Sequence, residues 1–517
     1  MSGVTIDPVR LRSLARPLAA ITALNLALLL TWSVMVPTFR GADEHVHHDF
    51  IRYLTTTWRY PEYDDLNVSR RTLASLGSSP VIPADAPPVA GEEATNRADR
   101  PGWADLGADV RDGPPNQMPQ HPPLYYESAA AALRILDSGG HAPLDLAVWM
   151  LRLLNVVLMA PLPWLAADIA RRYTQSTAIV LASAAGMLAV PQLTHVGATV
   201  SNDPLMILLG TLTLVGAARL ATGDRRWAVA IGTGVVAGLA LFTKGFAVPL
   251  VPAVGVACLV PLVRRGAGAP SALSTFARAT VVSVLAFALG GWWWIRNVLE
   301  YQTPQPGVRL RSRVADVDLN VVRFAGDFTE RLLGSFWGNF GWHEAHAPIG
   351  ISYAMSAVVV GAVGVACWRA WARMMLVVPT LVAAAMVLSS GWGAFKKTGV
   401  SYATQGRYLF AGIAGLSVLV SLGLARALPG RARRVPLVVL GVALVLQGLG
   451  LWVAAHRYWA GGGLAPVRAM IRFAPLPGPV TASFLAAVGA AAVAALWSLW
   501  AVTSATAPPD SGDFPSI

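Results

Sequence analysis

The sequence predicts an all-α polytopic membrane protein of about twelve transmembrane helices, with short interfacial helices in a long first extracytoplasmic loop. Three observations predict it. The 517 residues are 55% hydrophobic and only 13% charged, with a mean hydropathy of +0.52, a balance no water-soluble globule could hide. Apolar windows of about 20 residues, each long enough to cross a hydrocarbon core, recur along the chain. The short connections between alternate windows carry arginine, as cytoplasmic loops do.

Taken in order, Arg10, Arg12 and Arg16 precede an apolar run over 17–39. That run is long for a signal-peptide core, and Thr38-Phe39-Arg40 offers no small-residue cleavage site, so residues 1–16 are expected to be a retained cytoplasmic N-terminus. Further spans are expected at 144–170, 176–193, 203–221, 227–243, 246–263, 276–297, 349–367, 374–390, 407–426, 435–454 and 481–502. Pro191 interrupts the span at 176–193, and Thr243-Lys244-Gly245 divides a close pair. One transmembrane domain over 17–502 results, followed by a polar 503–517 tail expected to be disordered in the cytoplasm.

The charge pattern tests this count. Starting inside, the inward connections hold Arg171-Arg172, Asp224-Arg225-Arg226, Arg264-Arg265, Arg369 with Arg373, and Arg431 with Arg433-Arg434. All are basic, and an odd miscount would scramble the agreement. The formal charge of +12 therefore belongs to topology and anionic headgroups. A nucleic-acid partner is excluded, because there is no recognition motif and no basic patch with interleaved aromatics. Cys258 and Cys367 both sit in apolar runs and build neither a disulfide framework nor a metal motif.

The long loops, 40–143 and 299–348, then face outward, with shorter ones at 391–405 and 456–479. The first opens with an amphipathic helix over 44–58, placing Phe50, Ile51 and Leu54 on one side. Its middle, 78–119, is rich in Pro, Gly, Ala and Asp and is expected to be partly mobile. A second short helix follows Pro122-Pro123 and runs to Leu136.

Chemistry is concentrated at the outward ends. Asp43-Glu44 follows the first span directly, and a carboxylate held there can take a proton from a hydroxyl within hydrogen-bond reach. The competing reading is a solvated helix start, where acids are favourable. Lys244, Arg296 and Arg407 are each expected at an outward span end, either as cations for an anionic ligand or as side chains snorkelling to headgroups. Arg407 is favoured, since Gln405-Gly406-Arg407-Tyr408 joins a flexible backbone, a forked cation and an aromatic ring. Arg296 follows three tryptophans and equally suits an interfacial belt. Arg152 and Asn155 lie one turn apart on the second span, and Arg152 can pair with an acid inside the bundle. His121, Tyr125 and Tyr126 can face one cavity. Asn202 suits a helix cap, and Asp203 a contact to a sugar or acceptor. The aromatics of 337–342 can stack on sugars or rest on the bilayer. His45, His47, His48 and Asp49 raise the possibility of a divalent cation. Their i, i+2, i+3 spacing does not gather three imidazoles on one helix face, so no metal site is assigned.

Residues 41–54, GADEHVHHDFIRYL, followed by QHPPLYY at 120–126, resemble the GT-C glycosyltransferases. Further matches keep one order: SNDPL at 201–205, GLALFTKG at 238–245, GWWWIRN at 291–297, SFWGNFGW at 335–342 and QGRYLF at 405–410. The protein O-mannosyltransferases and the aminoarabinose transferases of lipid A are of this type, and the likeness is greatest to bacterial, often actinobacterial, members. Their first outward loop usually reads Asp-Glu-Pro-x-His; here His45 replaces the proline and His47 keeps the histidine position.

The resemblance implies a plasma-membrane enzyme that transfers a sugar from a polyprenyl-phosphate donor to an extracytoplasmic glycan, lipid or protein. It implies Asp43 as catalytic base and Glu44 as its catalytic or acceptor-binding neighbour. His47, His121, Tyr125, Asp203, Lys244, Arg296, Arg407 and Tyr408 become substrate contacts. A lipid-phosphate leaving group needs positive charge more than a proton. The alternatives are a flippase or transporter of lipid-linked sugars and a non-catalytic scaffold. Transporters tend to carry midplane charges and matching halves, and neither is seen here.

Overall fold

The computed structural model describes residues 8–76, 97–263, 271–307, 319–402, 404–459 and 461–504. Arg264-Arg265, residues 78–96 of the Pro-rich stretch and the tail from 505 lie outside the described residues. Among the described residues, ten helices are long and apolar enough to cross a bilayer. They are Leu14–Met35, Leu144–Ala170, Asp203–Ala221, Gly245–Leu262, Ala272–Tyr301, Ile349–Cys367, Val378–Thr398, Gly406–Ala427, Pro429–Tyr458 and Gly478–Ser504.

The two remaining expected spans take other forms. Thr177–Gly186 and Pro191–Gly197 form a pair bent by 61°. Pro191 cannot donate to the preceding turn, so the helix stops and restarts in a new direction. The 15-residue helix Trp227–Leu241 is apolar but short, about 22 Å at 1.5 Å per residue, against a hydrocarbon core of about 30 Å. Counted in chain order with the bent pair as third and this short helix as fifth, the segments run from first to twelfth.

Burial confirms the solvent. Leu28, Val180, Leu214 and Val418 are enclosed at the centre of the bundle, while Val360, Val445, Val493 and Trp497 project outward more than 60% exposed. Apolar side chains on both the inside and the outside require lipid around the helices. The protein is thus a multi-pass membrane protein. The first span packs along the twelfth, closing the bundle.

The first loop is a folded cap with its own core. Helix Glu44–Thr57 buries Phe50, Ile51 and Leu54 against Tyr126, Ala129 and Leu133 of helix Leu124–Leu136 and against Leu151 of the second span. The expected mobility does not extend to 97–119. There Trp103 enters the cap core, Arg97 donates to the Ala474 carbonyl at 2.8 Å, and Arg100 donates to the Phe473 carbonyl at 2.9 Å and pairs with Asp145. These arginines tie the cap to the interfacial helix Ala465–Phe473. The second loop contributes an amphipathic helix, Val321–Trp337, and a two-residue hairpin pairing Asn339–Phe340 with Ala345–His346. Gly406 lies against the Phe336 backbone with no room for a Cβ, which lets the tenth span begin hard against that helix.

Candidate active site

Asp43 and Glu44 are adjacent in sequence and separate in space. After the first span the chain turns through Phe39 and Asp43, both in the left-handed region at φ 63° and 59°. Aspartate tolerates that conformation better than most side chains. Asp43 stands at the start of helix Glu44–Thr57, where the backbone dipole favours an anion. Its carboxylate makes no capping bond and instead accepts from Arg407 Nη2 at 3.3 Å, with 30% of the side chain exposed.

Glu44 points the other way and is fully buried. Arg152 Nε and Nη2 donate to its two oxygens at 2.8 and 2.6 Å, and the Val200 N–H adds a bond at 2.9 Å. The other Arg152 donors satisfy the carbonyls of Ser33, Val36 and Pro37 at the end of the first span. The guanidinium therefore caps one helix, anchors a second and neutralises the loop carboxylate. Both Glu44 oxygens thus already accept hydrogen bonds inside the protein. Asn155, one turn on, donates to the Tyr125 hydroxyl at 3.1 Å and the Thr199 carbonyl at 2.6 Å.

Asp203 gathers the cations. It opens the fourth span, fully buried, and accepts from Lys244 Nζ at 2.7 Å, with Arg407 Nη1 at 3.8 Å from its second oxygen. Lys244 lies in the break between the fifth and sixth spans. Tyr408 stacks on Phe246 with ring centroids 3.9 Å apart, and both Lys244 and Arg407 lie within 6 Å of its ring centre. Arg407 bridges Asp203 and Asp43, and its Nε is buried without a protein partner. A fork so placed has a donor in hand for an oxyanion.

His47 and His121 complete the wall. His47 Nδ1 meets the Tyr126 hydroxyl at 3.0 Å, and Tyr126 also bonds Met118 Sδ. Burial first, then the positive charges of Lys244 and Arg407, hold the His47 imidazole well below its ordinary range and the His121 imidazole down at about 3. Burial raises the Tyr125 hydroxyl. Beyond Arg407 lies a second polar cleft, lined by Gln192, His195, Asn339, His343 and Gln405.

These imidazoles make a stability prediction. In the unfolded chain each takes its proton near 6.5; in the fold His121 does so only near 3. Between those values the unfolded state binds more protons, so stability falls as pH falls, by about 1.4 kcal/mol per pH unit for each such histidine. The thermal midpoint should drop steadily below pH 6.5, and less steeply in His121→Gln. A midpoint flat from pH 6.5 to 4.5, or an unchanged slope in the variant, would show an imidazole in free contact with water.

One expectation meets a different geometry. Arg296 does not join the cluster. The seventh span ends beside residue 62 of the first loop, so its guanidinium meets Glu62 and Glu300, each at 2.9 Å, and Tyr301 donates to Glu62 at 2.7 Å. This is a partly exposed clamp at the rim, with the Arg296 guanidinium lying 5.3 Å from the centre of the buried Trp293 ring. The histidines beside Asp43 diverge: His45 lies against Trp342, His47 against Tyr126, and His48 between Phe39 and Trp103. Among the described residues no group of three or more His, Cys, Asp or Glu is placed to hold a metal ion.

The sequence reading passed over the second cleft. Asn339 and His343 stand in or beside a segment noticed for its aromatics, and His195 lies within the bent span, where no spacing marks it. Pro191 was the available signal, because a broken helix inside a bundle often lines a cavity.

With this geometry in view, residues 121–294 match the sequence profile of the dolichyl-phosphate-mannose-protein mannosyltransferase family. The matched stretch begins at His121 and includes Asp203 and Lys244. The matched stretch is about a third of the chain, and the class that the fold itself defines is a multi-pass membrane protein. Among solved structures, the chain is similar to ArnT from Cupriavidus metallidurans in the apo state, at 14% identity and TM-score 0.44, over 92% of this chain and 76% of that one. The same protein bound to undecaprenyl phosphate gives 12% and 0.46, over 91% and 75%. Arabinosyltransferase EmbB from Mycobacterium smegmatis gives 14% and 0.40, over 96% of this chain and 42% of that one. No curated protein sequence matches the chain.

Proposed function

We propose that the protein transfers a sugar from a polyprenyl-phosphate donor to a hydroxyl of an extracytoplasmic glycan, lipid or protein. One observation carries the reading: Asp43 shares a partly open cluster with Lys244 and Arg407, though 364 residues separate it from Arg407. The family match and the undecaprenyl phosphate bound to ArnT support a lipid-phosphate donor. In this mechanism Lys244 and Arg407 hold the phosphate, and Asp43 removes the acceptor proton. The acceptor oxygen bonds the anomeric carbon as its bond to the phosphate oxygen breaks. The cations then take up the negative charge of the departing lipid phosphate. The arginines of residues 171–172, 225–226 and 431–434 follow the opposite ends of the spans that carry these groups, which supports an extracytoplasmic site.

The test is purified protein in liposomes, given a labelled polyprenyl-phosphate sugar and an envelope extract as acceptor. A new glycosidic bond is expected. Movement of intact donor across the membrane without bond formation would replace transfer by flipping. Arg407→Gln should raise the donor KM about 10–100-fold, the range of a lost hydrogen bond to a charged group. An unchanged KM would remove Arg407 from the phosphate site.

A further inference from the structure

We infer that the stretch of the second loop from Ser335 to Glu344 sets the separation between Asp43 and Arg407, with Glu344 the positioning residue that places Asp43. The inference rests on the transfer reading above and concerns where the base stands, not what the site binds. Asp43 follows the first span and Arg407 opens the tenth, and this one stretch of chain is fastened to both.

On the Arg407 side, Ser335 Oγ accepts from the Gly406 N–H at 2.7 Å, and Gly406 lies against the Phe336 backbone. The residue before Arg407 therefore moves only with the loop. On the Asp43 side, the hairpin rests on the turn that leaves the first span. Arg40 Nε donates to Glu344 Oε1 at 3.0 Å and Arg40 Nη2 pairs with Glu344 Oε2, with the two side chains only 5% and 8% exposed. Trp342 Nε1 donates to the Phe39 carbonyl at 3.0 Å. A Cβ on Gly341, at φ 65°, would meet the Arg40 carbonyl at 2.9 Å, so the hairpin backbone lies directly on that turn. From the end of the eleventh span, Arg457 Nη2 reaches Glu344 Oε2 at 3.2 Å and holds the carboxylate from behind.

The path from Arg40 to Asp43 is short and stiff. Within it the Arg40 N–H bonds the Pro37 carbonyl and the Glu44 N–H bonds the Gly41 carbonyl, each at 3.1 Å. A shift at Arg40 is passed on to Asp43, whose other flank is fixed by Arg152 through Glu44. A buried ion pair is a poor source of net stability, since apolar side chains of similar volume often serve as well. What a two-pronged arginine–carboxylate contact adds is direction. Asp43 depends on it: its carboxylate makes no capping bond and meets Arg407 only at 3.3 Å, so the backbone decides where it faces.

The experiment measures transfer by the full chain in liposomes, with the labelled polyprenyl-phosphate sugar and envelope extract, for Glu344→Gln and Trp342→Phe. Binding of bare polyprenyl phosphate is measured on the same preparations. Glu344→Gln should lower kcat about 10–100-fold, as a displacement of about 1 Å does. Trp342→Phe should lower it about three- to tenfold, the loss of one hydrogen bond. Lipid binding should stay within about twofold in both, because Lys244 and Arg407 are untouched, and this also controls for folding. In an Asp43→Asn background neither substitution should lower the residual rate further, since a group that acts through the base has no effect once the base is gone. Losses that multiply in that background, or wild-type kcat in both single variants, would overturn the inference. If Glu344→Gln does not fold, Trp342→Phe, which keeps a ring against His45, decides by the same two tests. Asp43→Asn with wild-type kcat would instead strike the base reading beneath, and the positioning role with it.

Discussion

Asp43→Asn is expected to lower sugar transfer by about 10²–10⁴-fold, the usual contribution of a positioned general base. The amide keeps the shape of the carboxylate and can still accept from Arg407, so the left-handed turn and the fold should survive. It has no basicity with which to take the acceptor proton. Donor affinity should therefore stay close to wild type while kcat falls, which separates a base from a group that binds the lipid. Turnover of a labelled donor, with donor binding measured on the same preparation, decides it. A variant with wild-type kcat would take Asp43 out of the chemistry.

The second large effect is on stability. Arg152→Met should cost about 3–5 kcal/mol, because the Glu44 charge is left unpaired in a buried site. The carbonyls of Ser33, Val36 and Pro37 lose their donor at the same time. A fall in thermal midpoint and in the yield of folded protein is the readout. Adding Glu44→Gln to Arg152→Met should recover part of the loss, since it removes the stranded charge. Glu44→Gln alone should lower activity only as far as it lowers the folded fraction. A folded Glu44→Gln protein with no activity would place Glu44 in the chemistry instead of behind it.

Arg152 also shows how far a one-dimensional reading reaches. A pairing between Arg152 and a bundle acid was expected, but the partner was not named, because Glu44 lies 108 residues away. Residue type alone does not separate Asp43 from Glu44, and only the resemblance gave them different roles. A helix begins at Glu44, so the two carboxylates leave the backbone in different directions. Lys244, Arg296 and Arg407 shared one expected place, at outward span ends, with Arg407 favoured and Arg296 equally suited to an interfacial belt. Only packing separates Arg296, clamped to Glu62 and Glu300, from the two that meet at Asp203. The polar cleft was invisible because its residues come from the bent third span, the hairpin and the start of the tenth span.

By itself, the sequence determined the membrane class, the order and approximate limits of the spans, and the ends at which the charged residues gather. Those properties follow from local hydropathy and from the cost of placing charge in hydrocarbon, both readable a window at a time. Tertiary structure decided which carboxylate meets solvent, which cations share it, and that a polar cleft adjoins them. A charge partner is chosen by distance in space, and helices remote in sequence set that distance.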